Sequence, residues 1–231
     1  GRCEYSTSNT QVVLGHNRLS IIDLSENGHQ PFNDPSGNYS LVFNGEIYNF
    51  KELKLLLPDV VFTSDSDTEV LLHLYIKYGA KALDYLEGMF AFAILDRVNG
   101  EVFLARDPLG IKPLYFHESE KQIVFASEIK ALFEFSGIEK KIDENLIEEF
   151  LLNGFLYEPD TGFLGIKKLA AGHWMKISLK QPAEVQISQY WSVASTEATD
   201  KPLPLALEKS INDHMVSDAP LGVFFSGGID S

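Results

Sequence analysis

Residues Met89–Ala105 read MFAFAILDRVNGEVFLA, and this segment contains the strongest fold signal in the chain. Two apolar runs lie on either side of Val98-Asn99-Gly100, and an Asn-Gly pair in that setting is typical of a β-hairpin. In the first run both sets of alternating side chains are apolar: Phe90, Phe92 and Ile94 on one side, and Ala91, Ala93 and Leu95 on the other. We therefore expect a central strand that is covered on both faces.

Shorter segments on either side of this hairpin predict further strands and amphipathic helices. The other predicted strands are Gln11–Gly15, Tyr39–Phe43 with an Asn44-Gly45 turn after it, Leu114–His117, Ile123–Ala126 and Trp174–Leu179. The predicted helices are Asn49–Leu57 with a capping box, Asp67–Tyr78, Glu128–Phe135 and Asp143–Leu152. Antiparallel meanders with helices between them predict an α+β layered domain.

The composition changes near residue 191, which indicates a domain boundary. We expect residues 1–191 to form one domain, 192–204 a linker rich in Ser, Thr, Ala and Pro, and 205–231 the beginning of a second domain. In this last part the pattern predicts a helix at Leu205–Met215 and a short buried strand at Leu221–Phe225.

The overall composition excludes several classes of protein. The chain has 231 residues, of which 45% are hydrophobic, and its formal charge is −14. That apolar content excludes a disordered acidic chain, and the acidic balance disfavours nucleic acid and anionic membranes as partners. Small-molecule partners fit better. No apolar run is long enough for a transmembrane helix.

The cysteine and histidine content argues against disulfides and metal sites. Cys3 is the single cysteine, so no intramolecular disulfide can form, and a reducing, cytoplasmic location is expected. The six histidines lack the spacing of a zinc-binding motif, so we expect no metal held by the protein in this part of the chain.

The final six residues, Ser226-Gly227-Gly228-Ile229-Asp230-Ser231, form the first motif with a chemical interpretation. Paired glycines directly after a strand allow successive backbone N–H groups to surround phosphate oxygens. Because no lysine follows, the motif predicts a pyrophosphate-binding loop rather than the phosphate loop of ordinary nucleoside triphosphatases. The structural alternative is a surface turn.

A second group of residues is dispersed along the chain: Arg18-Leu19-Ser20-Ile21-Ile22, Asn44-Gly45-Glu46 and Ser66-Asp67. Taken alone, each has an ordinary structural explanation. An arginine is usually solvated or ion-paired, Asn-Gly usually forms a turn, and an aspartate in the first turn of a helix is favoured by the helix dipole.

Five motifs in order resemble the glutamine-hydrolysing asparagine synthetase family: Val13–Asp23, Phe43–Asn49, Glu87–Ala93, Arg106–Tyr115 and Ser226–Ser231. The resemblance implies a class II glutaminase domain with the four-layer α-β-β-α sandwich of N-terminal-nucleophile hydrolases. It also implies that an ATP pyrophosphatase domain follows, of which this chain contains the first helix and strand.

The resemblance gives the dispersed residues complementary roles in binding glutamine. Arg18 would pair with the α-carboxylate, with backbone groups of Leu19, Ser20, Ile21 and Ile22 beside it. Glu46 and Asp67 would hold the α-ammonium group. The Asn44 side-chain amide and the Gly45 N–H would form the oxyanion hole.

The resemblance also implies ATP, Mg²⁺ and aspartate as partners of the second domain. Phe224 would lie beside the adenine. The pyrophosphate and its Mg²⁺ would be held by Ser226, Gly227, Gly228, Asp230 and Ser231. Ammonia from glutamine would then convert an adenylated aspartate into asparagine, and family habit suggests a dimer.

The catalytic nucleophile departs from the family pattern. In the family it is an N-terminal cysteine whose own amino group acts as general base. Here residue 1 is glycine, and the surroundings of Cys3 do not match the family motif. We expect the opening strands and the nucleophile to be missing, so that the chain as written does not hydrolyse glutamine. Two alternatives remain: a family member that amidates another carboxylate, and a silent domain that binds glutamine or serves assembly.

Overall fold

The predicted hairpin lies at the centre of the larger sheet of the structure, a computed structural model that describes residues 1–7, 9–180, 184–196 and 200–228. The strands are β1 (Arg2–Ser6), β2 (Gln11–Gly15), β3 (Phe32–Asn33), β4 (Tyr39–Ile47), β5 (Gly88–Asp96), β6 (Glu101–Arg106), β7 (Tyr115–Glu118), β8 (Ile123–Ala126), β9 (Ile166–Lys168), β10 (His173–Ser178) and β11 (Val185–Gln189). The α-helices are α1 (Phe50–Leu53), α2 (Asp67–Tyr78), α3 (Ile129–Leu132), α4 (Ile147–Asn153) and α5 (Leu203–His214).

All strand pairs between these elements are antiparallel. The larger sheet has the order β11-β10-β6-β5-β4-β3, a second sheet has the order β8-β7-β9, and β1 and β2 form a separate hairpin. In the centre, Phe92 of β5 lies opposite Phe43 of β4 and Ala105 of β6. The predicted α+β meander is thus confirmed, and β1, β3, β9 and β11 are added to the strands that the sequence pattern predicts.

The two faces of β5 contribute to two different hydrophobic cores, as the alternation predicts. Phe90, Phe92 and Ile94 pack in the core beneath α1 and α2. The alternate residues Ala91, Ala93 and Leu95 pack against the β1–β2 hairpin and the smaller sheet, whose far side is covered by α3. The layers therefore run helix, sheet, sheet, helix, which confirms the predicted four-layer sandwich. Complete burial of a side chain such as Phe90 contributes about 1.5–3 kcal/mol.

The helix α2 has the predicted bounds, and its ends explain them. The Ser66 hydroxyl accepts a hydrogen bond from the Glu69 N–H at the first turn, and Gly79 ends the helix with a positive φ of 58°. Leu71, Leu72 and Leu74 are completely buried against the larger sheet. Burial of this apolar face holds the first residue of the helix, Asp67, in a fixed position.

The prediction of a turn at Asn44-Gly45 is wrong, because β4 continues through both residues to Ile47. A Cβ atom on Gly45 would lie 2.1 Å from the Met89 carbonyl oxygen of β5, and Gly45 has a φ of 153°. Gly45 therefore permits the close approach of β4 to β5, and such an approach is a common reason for a glycine inside a strand.

The predicted capping box at Asn49 is also wrong. The Asn49 side chain makes no capping bond; it donates to the Tyr85 carbonyl and accepts from the Glu87 N–H, both distant in sequence. The helix is reduced to four residues and continues as a 3₁₀ turn before Pro58. The predicted helices at Glu128–Phe135 and Asp143–Leu152 are likewise shorter in the structure, as α3 and α4.

The bend Arg106–Tyr115, predicted to be structural, is held by Arg106 and Asp107 as well as by its glycine. The Arg106 guanidinium donates to the carbonyls of Lys112, Gly110 and Leu169, and pairs with Glu158. The Asp107 carboxylate accepts from the N–H groups of Leu109, Ile111, Lys112 and Phe90. Both side chains are buried, and Gly110 has a positive φ of 66°.

The last part of the chain agrees with only half of its prediction. Helix α5 confirms the predicted helix with a start two residues earlier, but Leu221–Phe225 is not a strand and its apolar side chains are exposed. No strand in the described ranges lies beside this segment to pair with it. None of the described helices combines the length and apolar character that crossing a membrane requires.

Candidate functional site

A cleft of about 1330 Å³ lies at one end of the sandwich, between the two sheets. Its walls are the loop after β2, the middle of β4, the start of α2, and β8 with α3. All the predicted glutamine-site residues line it except Ser20. The structure therefore brings together side chains that are separated by up to 49 residues along the chain, between Arg18 and Asp67.

Arg18 lies in the loop of residues 16–25, called here the Arg18 loop. Its guanidinium donates to the carbonyl oxygens of Ile22 at 2.8 Å, Asp23 at 2.6 Å and Ser25 at 3.2 Å. Within the described ranges no carboxylate lies within ion-pair distance of it. These carbonyls orient the guanidinium without forming an ion pair with it, which favours an anion in the cleft.

Asp23 gives the Arg18 loop its shape. It has a φ of 53°, a left-handed conformation that is uncommon for residues other than glycine. Its carboxylate accepts from the Ser25 N–H and hydroxyl and from the Asp65 N–H. Burial acts to raise the pKa of Asp23, but these hydrogen bonds outweigh it and lower the pKa overall. The motif Val13–Asp23 contained this residue, but sequence reasoning assigned it no role.

Two buried carboxylates, Glu46 and Asp67, face the same cleft. Asp67 is the first residue of α2 and accepts a hydrogen bond from the Ile47 N–H at 2.9 Å. Burial raises its pKa to about 6, and the nearby charge of Glu46 adds to the shift. Burial also raises the pKa of Glu46, while the charges of Lys112 and His214 lower it.

Neither of these carboxylates has an ion-pair partner in the part of the chain that the structure describes. A bound cation would favour the ionised form of both and offset the free energy that their burial costs. The cleft thus has one wall that favours an anion and another that favours a cation.

The edge of β4 beside the cleft presents backbone groups between these two walls. The Phe43 N–H donates to the Gln30 side-chain oxygen at 2.7 Å, and the Ile47 N–H donates to Asp67. Gly45 lies between Phe43 and Ile47 on β4, opposite Phe90 of β5. The Phe90 N–H donates to the Asp107 carboxylate and the Phe90 carbonyl accepts from the Asp107 N–H, so both backbone groups of Phe90 bond Asp107. Since backbone groups of antiparallel strands alternate in direction, the Gly45 N–H points to the edge that lines the cleft.

Asn44 is predicted to form the oxyanion hole together with Gly45, and its side chain reaches Ser127. Its side-chain amide donates to the Ser127 hydroxyl at 3.4 Å, a long and therefore weak hydrogen bond. Asn44 and Gly45 both line the cleft.

His16 is a cleft residue that sequence reasoning missed. Its Nε2 lies 3.0 Å from the Phe43 carbonyl oxygen, so this nitrogen carries the proton and Nδ1 is an acceptor. The Nδ1 atom is buried and has no partner among the described residues. Burial lowers the pKa of His16 and keeps the ring neutral. A single histidine within a strand-to-loop pattern offers no sequence signal for such a position.

Cys3 lies away from this cleft. Its thiol is half-buried in β1, 3.5 Å from the Ser40 hydroxyl and 3.4 Å from an Arg97 nitrogen, and packs against the second core. Gly1, in contrast, lines the cleft, and its ammonium group donates to the His16 carbonyl at 2.6 Å. No cysteine is among the described residues that line the cleft.

The predicted nucleotide loop lies apart from the cleft, and part of it is outside the described residues, namely Asp230 and Ser231. In the described part, Gly227 has a positive φ of 77° and the Gly228 N–H donates to the Ser226 hydroxyl at 3.3 Å. Phe224 is fully exposed. These residues alone do not enclose a nucleotide. No cluster of three or more His, Cys, Asp or Glu side chains in the described ranges is arranged to bind a metal ion.

Comparison with known protein families yields two matches along the chain. A family model described as a glutamine amidotransferase domain matches residues 3–191. A second model, described as asparagine synthase, matches residues 203–231.

Curated relatives agree with these matches. A putative asparagine synthetase (glutamine-hydrolyzing) of Mycobacterium tuberculosis is 39% identical over 239 residues, which cover 95% of this chain and 36% of the relative. Asparagine synthetase (glutamine-hydrolyzing) 1 of Bacillus subtilis is 39% identical over 228 residues, which cover 95% of this chain and 35% of that protein. The predicted resemblance is thereby confirmed. The chain spans roughly a third of the length of these relatives, as the 36% and 35% shares show.

A solved structure is similar in fold. Glutamine phosphoribosylpyrophosphate amidotransferase of Bacillus subtilis, in complex with ADP and GMP, superposes with a TM-score of 0.52 at 24% identity. The superposition covers 76% of this chain and 34% of that one. At this identity the likeness concerns the fold, and it confirms the predicted amidotransferase architecture.

Proposed function

Because the chain belongs to the glutamine amidotransferase domain family, we propose that its cleft binds L-glutamine. The observation that supports this most directly is the meeting of three kinds of group in one cleft. The Arg18 guanidinium, two buried carboxylates and backbone and amide donors all line it. Free glutamine has the complementary set: a carboxylate, an ammonium group and a neutral amide.

In this proposal the α-carboxylate binds to Arg18. Three carbonyl oxygens occupy part of the guanidinium's hydrogen-bonding capacity, and a planar fork with five N–H donors has further donors left for a carboxylate. Leu19, Ile21 and Ile22 shape this side of the pocket, whereas Ser20 does not line it.

The α-ammonium group binds between Glu46 and Asp67 on the opposite wall. The pKa of Asp67 is raised to about 6 chiefly by burial, and the charge of Glu46 adds to the shift. An ammonium group would replace the missing counter-charge.

The amide of glutamine then lies toward Asn44 and Gly45. Negative charge develops on the amide oxygen when a nucleophile attacks, and donors at that position stabilise it. One such donor is typically worth about 10²–10³ in kcat. The thiol nucleophile implied by the family is absent from the described cleft residues, so we propose that these 231 residues bind glutamine without hydrolysing it.

For the whole protein we propose a glutamine-dependent asparagine synthetase that uses ATP and Mg²⁺ to amidate aspartate. The names of the relatives and the asparagine synthase match at 203–231 support this. The division into 1–191, the linker 192–204 and 205–231, the cytoplasmic location and a homodimer belong to the same proposal. Because the glutaminase motifs do not discriminate between acceptors, an amidotransferase for another carboxylate is the alternative.

A second candidate function is a silent glutamine-binding domain. The observation that favours it is the position of Cys3 outside the cleft. In this candidate the complete protein binds glutamine without hydrolysing it, whereas in the first candidate the complete protein hydrolyses it.

Ligand-observed NMR titration of the chain with small molecules tests the binding proposal. We expect L-glutamine to bind more tightly than D-glutamine and than 4-aminobutanamide, which lacks the α-carboxylate. Equal binding of all three would contradict the assignment of the cleft. Release of ammonia from glutamine by the complete protein would then distinguish the enzyme from the silent domain.

A further inference from the structure

The segment after α5 contacts the Arg18 loop through hydrogen bonds to its backbone. This segment, residues 216–219, is called here the clasp. The Asp218 carboxylate accepts a hydrogen bond from the Asp23 N–H at 2.8 Å. In the reverse direction the Asp218 N–H donates to the Ile21 carbonyl at 2.9 Å, and the Ala219 N–H donates to the same oxygen at 3.3 Å.

The clasp is itself anchored to the rest of the domain. Val216 packs against the core beneath α1 and α2, and the Ser217 hydroxyl donates to the Ala219 carbonyl at 3.0 Å. One turn earlier, the His214 ring lies 4.7 Å from the Tyr48 ring on the chain segment that follows β4. The clasp is therefore held at a fixed position on the amidotransferase domain, although its residues belong to the part that matches asparagine synthase.

Residues 21–23 of the Arg18 loop lie between the clasp and the Arg18 guanidinium. On one side, the Ile22 and Asp23 carbonyls accept from Arg18. On the other side, the Ile21 carbonyl and the Asp23 N–H bond the clasp. These bonds engage three consecutive residues, one of which has the unfavourable left-handed conformation of Asp23. A shift of the clasp would therefore move the carbonyls that orient Arg18.

We propose that Asp218 is a positioning residue that sets the orientation of Arg18 for the α-carboxylate of glutamine, and so couples the synthetase part of the chain to the glutamine site. The inference rests on the proposed binding of glutamine in the cleft and goes beyond it, because Asp218 does not line the cleft. Its effect passes through the backbone of the Arg18 loop.

The test compares two ligands, four single variants and one double variant by ligand-observed NMR titration of the 231-residue chain. L-glutamine contains the α-carboxylate that Arg18 would bind, and 4-aminobutanamide lacks it. Asp218→Ala removes the acceptor of the Asp23 N–H, whereas Asp218→Asn retains an acceptor oxygen without the charge. Glu208→Ala removes an exposed carboxylate of α5 and is the matched control. The fourth variant is Arg18→Ala, alone and combined with Asp218→Ala.

We expect Asp218→Ala to weaken the binding of L-glutamine about tenfold, as loss of a hydrogen bond to a charged group typically does. Binding of 4-aminobutanamide should change less than about twofold, because it does not use Arg18. Asp218→Asn should restore most of the affinity, and Glu208→Ala should bind like the wild type. On the Arg18→Ala background Asp218→Ala should have no further effect, since both act through one contact.

Equal weakening of both ligands by Asp218→Ala, or no weakening of L-glutamine, would overturn the inference. A thermal melt of each variant accompanies the titration, because general destabilisation lowers the affinity for both ligands alike. Failure of the proposed function has a different signature: Arg18→Ala would then leave the affinity for L-glutamine unchanged. The two failures are thus distinguishable.

Discussion

The two charged walls of the cleft are built in different ways. The anionic half, Glu46 and Asp67, lies on β4 and α2, whose apolar faces are buried in the main core. The cationic half, Arg18, lies on a loop with no regular secondary structure that is held by hydrogen bonds among polar groups. A change in the first should therefore disturb the fold and the site together, whereas a change in the second should disturb binding with little effect on stability.

The largest effect on stability is expected for Gly45→Ala. The added methyl group would lie 2.1 Å from the Met89 carbonyl oxygen, so β4 and β5 would have to separate at the centre of the sheet. We expect the free energy of unfolding to fall by about 3–4 kcal/mol in urea denaturation. Gly222→Ala, which has open space around the new atom, is the control and should change it by less than about 0.5 kcal/mol. A loss below about 1 kcal/mol for Gly45→Ala would show that the anionic half does not depend on the sheet.

The next effect concerns the cationic half and should appear in binding. Arg18→Ala should weaken L-glutamine binding about 100-fold, because a charge-assisted contact with the α-carboxylate is lost. The free energy of unfolding should change by only about 1 kcal/mol, since water can replace the guanidinium at three partly exposed carbonyls.

Arg97→Ala is the control for Arg18→Ala, because Arg97 bonds Ser40 and Cys3 outside the cleft. It should leave the affinity for L-glutamine unchanged. If Arg18→Ala lowered the free energy of unfolding by more than it weakened the free energy of L-glutamine binding, the cationic half would depend on the fold as the anionic half does.

The third prediction uses pH to isolate the anionic half. The pKa of Asp67 is about 6 in the folded chain and about 3.9 for an unfolded aspartate. Between these values the folded state holds a proton that the unfolded state has lost. The contribution of Asp67 to stability therefore falls as the pH rises from about 4 to 6, by about 2–3 kcal/mol in the absence of ligand.

Asp67→Asn should remove this loss, so that the variant is more stable than the wild type at pH 7 while it binds L-glutamine more weakly. Urea denaturation at pH 4 and pH 7 measures the difference. Asp65→Asn, whose side chain is 95% exposed, is the control and should retain the wild-type pH dependence. An unchanged pH dependence in Asp67→Asn would assign the effect to another group.

The smallest effect is expected for the ion pairs of α5. Lys209 pairs at 2.7 Å with both Glu87 and Asp213, and about half of its side chain is exposed. Solvent screens such pairs, so Lys209→Ala should lower the free energy of unfolding by less than about 0.5 kcal/mol. A larger loss in a urea titration would mean that ion pairs rather than the clasp hold this part of the chain on the domain.

Local patterns were sufficient for the elements that the anionic half depends on. The alternation in Phe90–Leu95 indicated a strand covered on both faces, and the spacing of apolar residues after Asp67 indicated α2 with its correct bounds. Both signals arise from side chains that repeat with the period of the backbone, which a single sequence displays directly.

Patterns failed where a residue's partner is distant in the chain. Asn44-Gly45 resembles a turn, yet the contact with Met89 requires the glycine within a strand. Asn49 resembles a helix cap, yet its side chain bonds Tyr85 and Glu87. The bond between Asp23 and Asp218 joins residues 195 positions apart, and neither residue belongs to a periodic pattern.

From the residues alone one could therefore derive the layered α+β fold, the hairpin at its centre and, through the ordered motifs, the kind of ligand that we propose for the cleft. The folded chain was needed to show that Arg18 forms no ion pair with the described residues, that Asp67 and Glu46 share one buried wall, and that the clasp holds the Arg18 loop. The physical reason is that hydrophobic periodicity is a local property of the chain. Burial, charge compensation and polar contacts depend on which distant segments the fold brings together.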